Sequence, residues 1–118
     1  VITVPAGRGV TSFIDTRDIA AVAAHFLTAP EFPEQTAYDL TSRDALDYFQ
    51  VARIFSEELQ TDVRYTNPSL WQFYRHSRAH GRPVPFTLVM AGLYTSAPLG
   101  LASRLTTTTE EILGRPPI

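Results

Sequence analysis

Apolar residues recur at helical spacing in five stretches of the chain, separated by short runs rich in β-branched residues. Val1 to Val4 predicts a short strand, Pro5 to Gly9 a turn, and Val10 to Ile14 a second strand. Asp15 then caps a helix by accepting from the amide of Asp18, and Ile19, Val22, Ala23 and Phe26 fall on its inner face. Pro30 and Pro33 end it. Thr36 to Thr41 predicts a strand with Tyr38 and Leu40 on one side, followed by a connector from Ser42 to Ala45. Asp47-Tyr-Phe-Gln50 has the form of a capping box, and the helix it opens turns Phe49, Ala52, Ile54, Phe55 and Leu59 inward.

Asp62 to Thr66 predicts a fourth strand. Ser69-Leu-Trp-Gln72 repeats the capping box, and Gly81 supplies the C-terminal stop of that helix. Pro85 suits the first position of a further helix, from Phe86 to about Thr95, which Pro98 breaks. Thr107 and Glu110 make a third box before a short helix closed by Gly114 and Pro116-Pro117. The order β, β, α, β, α, β, α, α, α predicts an α/β fold of short strands alternating with helices, in a single domain over residues 1–118.

Composition narrows the chemistry. The 118 residues are 44% hydrophobic and 19% charged, with a formal net charge of −2, a balance that argues against a general nucleic-acid role. The longest apolar stretches, such as Ile19 to Leu27, are far short of the roughly 18 residues of a membrane span. There is no cysteine, which excludes a thiolate metal site, a disulfide or a cysteine nucleophile. All ten basic residues are arginine. Without lysine there is no phosphate-loop lysine, no Schiff base and no Tyr-x-x-x-Lys dyad, and arginine cannot replace a titrating lysine. A cysteine-free chain with no signal pattern at Val1 to Gly9 fits the cytoplasm.

Four constellations carry possible chemistry. Gly7-Arg-Gly9 is the only Gly-x-Gly, but a strand rather than a helix is predicted to follow it, so it suits a tight connection better than a dinucleotide. His76 and His80 share a helical face, but three arginines crowd them and no acid lies near, so no metal site is expected. Arg75 to Arg82 forms an acid-free basic cluster, readable as an anion patch or as cations gathered at a helix C-terminus, where the macrodipole favours them. Phe86, Met90 and Tyr94 stand at i, i+4 and i+8, and Trp71, Phe73 and Tyr74 crowd the helix before. They suit either core packing or an adaptable apolar pocket wall. Trp71, Tyr74, Phe86, Met90 and Tyr94 are the candidate substrate-binding residues. No residue is nominated as catalytic, cofactor-binding or metal-binding; Tyr74 and Arg78 have dyad spacing but lack the lysine.

Several segments taken in order resemble one family. Ser12-Phe-Ile-Asp-Thr-Arg-Asp-Ile-Ala-Ala-Val-Ala24 is similar to the "fvDvrDiA" segment of the NmrA-like atypical short-chain dehydrogenase/reductases. Thr36 to Thr41, Tyr48 to Leu59 and Asp62-Val-Arg-Tyr65 resemble its next strand, helix and "pVrY" strand. Thr108-Thr-Glu-Glu-Ile-Leu-Gly-Arg-Pro-Pro117 resembles its "eellGRpP" tail. The resemblance is to the C-terminal half alone. It implies the substrate-binding lobe of an NAD(P)-binding Rossmann-type oxidoreductase or redox-sensing regulator, whose glycine-rich N-terminal half holds the NAD(P). The lobe itself would then bind no cofactor and would not be catalytic. Its partners would be a small-molecule substrate and the missing Rossmann half. The alternative is a non-catalytic interaction module that covers its exposed apolar surface by self-association.

Overall fold

The computed structural model describes residues 1–31 and 37–118. It is mixed α/β: five helices and two short strands are formed among the described residues. The strands β1 (Thr11–Ser12) and β2 (Ala45–Leu46) pair as a two-stranded sheet. The helices are α1 (Thr16–Thr28), α2 (Tyr48–Leu59), α3 (Leu70–Ala79), α4 (Val84–Ser96) and α5 (Thr108–Leu113). The chain divides into two compact units, Val1–Thr11 with Leu46–Ser103, and Ser12–Ala45 with Arg104–Ile118.

In the first unit, α2 begins at a complete capping box. The Asp47 carboxylate accepts from the Gln50 amide at 2.8 Å, and the Gln50 side chain accepts from the Asp47 amide at 2.9 Å. Ser69 and Gln72 do the same for α3. The end of α3 is a Schellman turn: Gly81, at φ +74°, donates to the Arg78 carbonyl, and Arg82 donates to that of Ser77. α4 starts at Val84, two residues before the expected Phe86, with Pro83 as its N-cap. It packs back on α3, whose buried stripe is Phe73 and Ser77.

In the second unit, α1 packs against α5. Asp15 caps α1, but its carboxylate takes the Arg17 amide at 2.8 Å and the Arg17 guanidinium rather than the Asp18 amide. Asp18 donates instead to the Asp15 carbonyl. Ala29 ends the helix in extended backbone because Pro30 follows it. The expected stop at Pro33 and strand start at Thr36 lie outside the described residues. The third expected box is not formed: Thr107 makes no capping bond and its hydroxyl donates to the Glu111 carboxylate.

The strands are shorter than the alternation predicts. Ile2 bridges Tyr65 in parallel, donating to the Arg64 carbonyl at 2.8 Å and accepting from the Thr66 amide at 3.1 Å. Residues 37–41 form no strand. Their polar backbone groups are met by threonine side chains: Thr106 Oγ1 donates to the Asp39 carbonyl and Thr109 Oγ1 to that of Thr41.

The inward faces also differ from expectation. Of the five residues expected inward on α2, only Ala52 is buried; Phe49, Ile54, Phe55 and Leu59 are exposed. On α1 the buried stripe is Asp18 and Val22, while Ile19 and Ala23 face solvent. Ser56 explains part of the α2 rotation. Its hydroxyl lies 2.8 Å from the Ala52 carbonyl and accepts from the Val63 amide at 2.9 Å, which turns the Ala52–Ser56 face inward.

Candidate functional site

An aromatic cluster occupies the first unit. Tyr65 is at its base, 8% exposed. Its hydroxyl accepts from the Ala6 amide at 3.2 Å and lies 2.9 Å from the Val4 carbonyl, so it ties the N-terminal segment to the chain after α2. Phe49 meets the Tyr65 ring edge-on at 4.8 Å, and Tyr48 lies 5.6 Å from it. Tyr94 from α4 bridges Tyr48 at 6.1 Å and Phe73 at 6.0 Å, edge-on to both. These are favourable aromatic arrangements. The Arg8 guanidinium sits 5.3 Å from the centre of the Phe49 ring.

Burial pushes the Tyr48 phenol above its ordinary range, with the neighbouring Tyr94 and Tyr65 adding to it. Burial raises Tyr65 as well, opposed by the amides of Ala6 and Gly7. Both rings therefore stay neutral and present phenol, not phenolate, at physiological pH. The Tyr94 phenol lies close enough to that of Tyr48 to act on it, and half-buried Met90 stands one helical turn before Tyr94 on α4.

The five candidate substrate residues fall into two groups. Met90 and Tyr94 lie half-buried on α4, and Tyr94 joins the cluster. Phe86, at the start of the same helix, is 49% exposed. Trp71 and Tyr74 stack on each other at 5.7 Å on α3, Trp71 exposed and Tyr74 half-buried beside the Phe73–Ser77 stripe. Sequence reasoning missed Tyr48 and Tyr65. Tyr48 follows a capping residue and shows no period of its own, and Tyr65 meets it only through the turn after α2.

The remaining constellations are placed as follows. Gly9 lies flat on the backbone of Ala97 and Pro98: a Cβ there would stand 2.2 Å from the Ala97 carbonyl carbon. The Gly-x-Gly therefore serves a close approach of protein to protein, and no helix N-terminus follows it to meet a pyrophosphate. The residues of this turn do not fit a dinucleotide. His76 and His80 stack at 4.2 Å, with His80 Nδ1 facing the His76 carbonyl at 2.8 Å. Among the described residues no three metal-ligating side chains gather, and no helix is long and apolar enough to cross a membrane.

The second unit holds a buried ion pair that the sequence reading did not join. Asp18 is fully buried; one carboxylate oxygen accepts from Arg115 at 2.7 Å and the other from the Ile118 amide at 2.8 Å. A cleft of about 390 Å³ lies nearby, lined by Ser42, Arg43, Leu105 to Thr108, Glu110 and Pro117.

No family model matches the chain. Over 112 residues, 95% of its length, it is 37% identical to an NAD(P)H azoreductase of Xenophilus azovorans. Over 116 residues it is 31% identical to an uncharacterized oxidoreductase, YesF, of Bacillus subtilis (strain 168). It spans only 39% and 40% of these two relatives. A triphenylmethane reductase of Citrobacter sp. superposes over 99% of the chain with a TM-score of 0.83 and 26% identity, again over 40% of that protein. The same reductase complexed with NADP(H) gives a TM-score of 0.82. An NADPH-dependent quinone oxidoreductase of Escherichia coli, 22% identical with a TM-score of 0.81, shares the fold. The chain is thus similar, along nearly all of its length, to part of several NAD(P)H-dependent reductases.

Proposed function

We propose that this chain is the substrate-facing lobe of an NmrA-like, NAD(P)H-dependent reductase and carries no hydride chemistry of its own. The supporting observation is a mismatch of coverage. Similarity runs over 95% of this chain but over only 39% of the azoreductase, so most of such a reductase lies outside the matched part. The chemistry of the chain agrees: it has no lysine, and its one Gly-x-Gly is packed against Ala97 and Pro98. What the lobe contributes is a wall. Tyr48, Met90 and Tyr94 offer polarisable surface with two phenol groups, suited to orienting a conjugated acceptor such as an azo compound, a quinone or a triarylmethane. NAD(P)H would be held by the remainder of the reductase and would supply the hydride there.

A chimera tests this. The 118 residues replace the matching segment of the azoreductase, and NADPH oxidation is followed with an azo acceptor. Turnover is expected from the chimera and none from the isolated chain. Tyr94→Ala should raise KM for the acceptor while leaving KM for NADPH unchanged. Turnover by the isolated chain, or micromolar binding of NADPH to it in a calorimetric titration, would overturn the proposal.

A second reading is favoured by one observation. On α4, Leu88, Val89 and Leu93 are each 60% exposed or more. Apolar side chains grouped on one helix mark an interaction face. A self-associating module would bury them against a second copy, and light scattering over a dilution series would then show a dimer that Leu93→Glu dissociates.

A further inference from the structure

We infer that the outer stripe of α3 is a binding site for a flat aromatic anion, separate from the Tyr48–Tyr94 wall and independent of the function proposed above. Trp71, Tyr74, Arg75 and Arg78 stand at i, i+3, i+4 and i+7, so they form one stripe along the helix. Trp71, Arg75 and Arg78 are exposed, and Tyr74, half-buried, borders the buried stripe of Phe73 and Ser77.

Two features of the stripe belong to ligand recognition rather than to helix stability. The first is the ring platform. Trp71 is 65% exposed, yet its ring is held within 15° of parallel to that of Tyr74. A preformed, water-facing aromatic surface accepts a further ring by stacking. The second is the charge. No aspartate or glutamate occurs between Asp62 and Glu110. Arg75 and Arg82 make no ion pair among the described residues, and Arg78 donates one N–H to the Arg82 carbonyl.

Cations near a helix C-terminus offset its dipole, which accounts for His76 and Arg78 in the last turn. It accounts for neither Arg75 nor the exposed indole. A shallow depression of about 450 Å³ adjoins the tyrosine and arginine part of this stripe, lined by Gln72, Tyr74, Arg75, His76, Arg78 and Ala79, with the indole of Trp71 stacked on Tyr74 at its edge. That is room for a bicyclic ring system. A guanidinium pairs with two oxygens of a carboxylate, sulfonate or phosphate at once, so the ring stacks while the arginines hold the acid group.

Trp71 is the only tryptophan, so its emission reports on this face alone. The purified chain is titrated with naphthalene-2-sulfonate, with the neutral naphthalene-2-sulfonamide, and with adenosine monophosphate. Saturable quenching by the sulfonate is expected, with the sulfonamide about tenfold weaker or more, and with affinity falling as salt rises. Arg75→Gln with Arg78→Gln should lower sulfonate affinity about tenfold, whereas Arg64→Gln, whose arginine pairs with Asp62, should leave it unchanged. Tighter binding of the nucleotide would make the natural occupant a nucleotide; tighter binding of the sulfonate, a simple aromatic acid. Equal affinity for sulfonate and sulfonamide, undiminished binding by the folded double variant, or no saturable quenching would overturn the inference.

Discussion

Replacing Arg115 by methionine isolates the contribution of the pair that closes the second unit. Methionine keeps much of the aliphatic stem and removes the guanidinium. It leaves the Asp18 carboxylate fully buried with the Ile118 amide as its remaining partner across the unit. Two unit charges about 4 Å apart interact by about 4 kcal/mol at an effective dielectric of 20. Breaking a buried pair by removing one member costs about 3–5 kcal/mol. Here the Arg115 side chain is itself 43% exposed, so water partly replaces it and the cost falls. The expected loss is about 2–3 kcal/mol.

Urea unfolding followed by far-ultraviolet circular dichroism measures it. With a slope of about 1–3 kcal/mol/M, the midpoint should fall by about 1–2 M. Asp18→Asn keeps one acceptor oxygen and removes the buried charge, so it should cost less, about 1–2 kcal/mol. The double variant should be more stable than the sum of the two losses predicts, by about 1–2 kcal/mol, because a neutral amide at position 18 no longer needs the cation. An Arg115→Met midpoint within about 0.5 kcal/mol of the parent would refute the reasoning and reduce the pair to a surface contact.

Two further perturbations have clear signs. Gly9→Ala forces a Cβ to 2.2 Å from backbone atoms that cannot rotate aside, and should cost about 3 kcal/mol or more. Gly100→Ala, at φ +75° but with open space, should cost about 1 kcal/mol in the same urea assay. The Asp15 carboxyl is lowered from 3.8 to about 2, first by its hydrogen bond to the Arg17 side chain and then by the Arg17 amide. A depressed folded value means that its contribution is present above the ordinary carboxylate range and is lost as pH falls through about 2. A carboxyl-carbon NMR titration should place its midpoint there, and Arg17→Gln should move it upward; an unmoved midpoint would remove Arg17 as the cause.

What was legible in the sequence was local. The capping boxes at Asp47 and Ser69 and the glycine stop at Gly81 close within four residues, and all three form as their spacing predicts. What was not legible depends on partners far along the chain. Nothing near Thr41 announces that Thr109, 68 residues away, will occupy its carbonyl. Periodicity also assumes that apolar means inward. Here Asp18, Thr87 and Thr109 are buried, while Ile54, Phe55 and Leu93 face water. Each of these three buried polar side chains has a hydrogen-bonding partner that satisfies it: Arg115, the Pro83 carbonyl and the Thr41 carbonyl. The geometry of the candidate site was partly legible: helical spacing put Met90 and Tyr94 on one helix, as α4 has them, but only the turn after α2 brings Tyr65 to Tyr48.

The segments that carry the family resemblance hold Tyr48, Phe49 and Tyr65 of the aromatic cluster, while the rest of the candidate chemistry lies outside them. The resembling segments run through residues 12–24, 36–41, 48–59, 62–65 and 108–117. Among them are Asp18 and Arg115, which bond to each other across 97 residues, and Tyr65, which fastens the N-terminus. These are fastening roles. The helices α3 and α4, with Trp71, Tyr74, Arg75, Arg78, Met90 and Tyr94, fall in the gap between residues 65 and 108. A scaffold is specified by such long-range bonds, while specificity resides in side chains facing open space, which the scaffold does not constrain. Similarity to reductases of azo, quinone and triarylmethane compounds is therefore informative about the frame. On α3 and α4, Tyr94 and the Trp71–Arg78 stripe are two chemically distinct surfaces outside those segments.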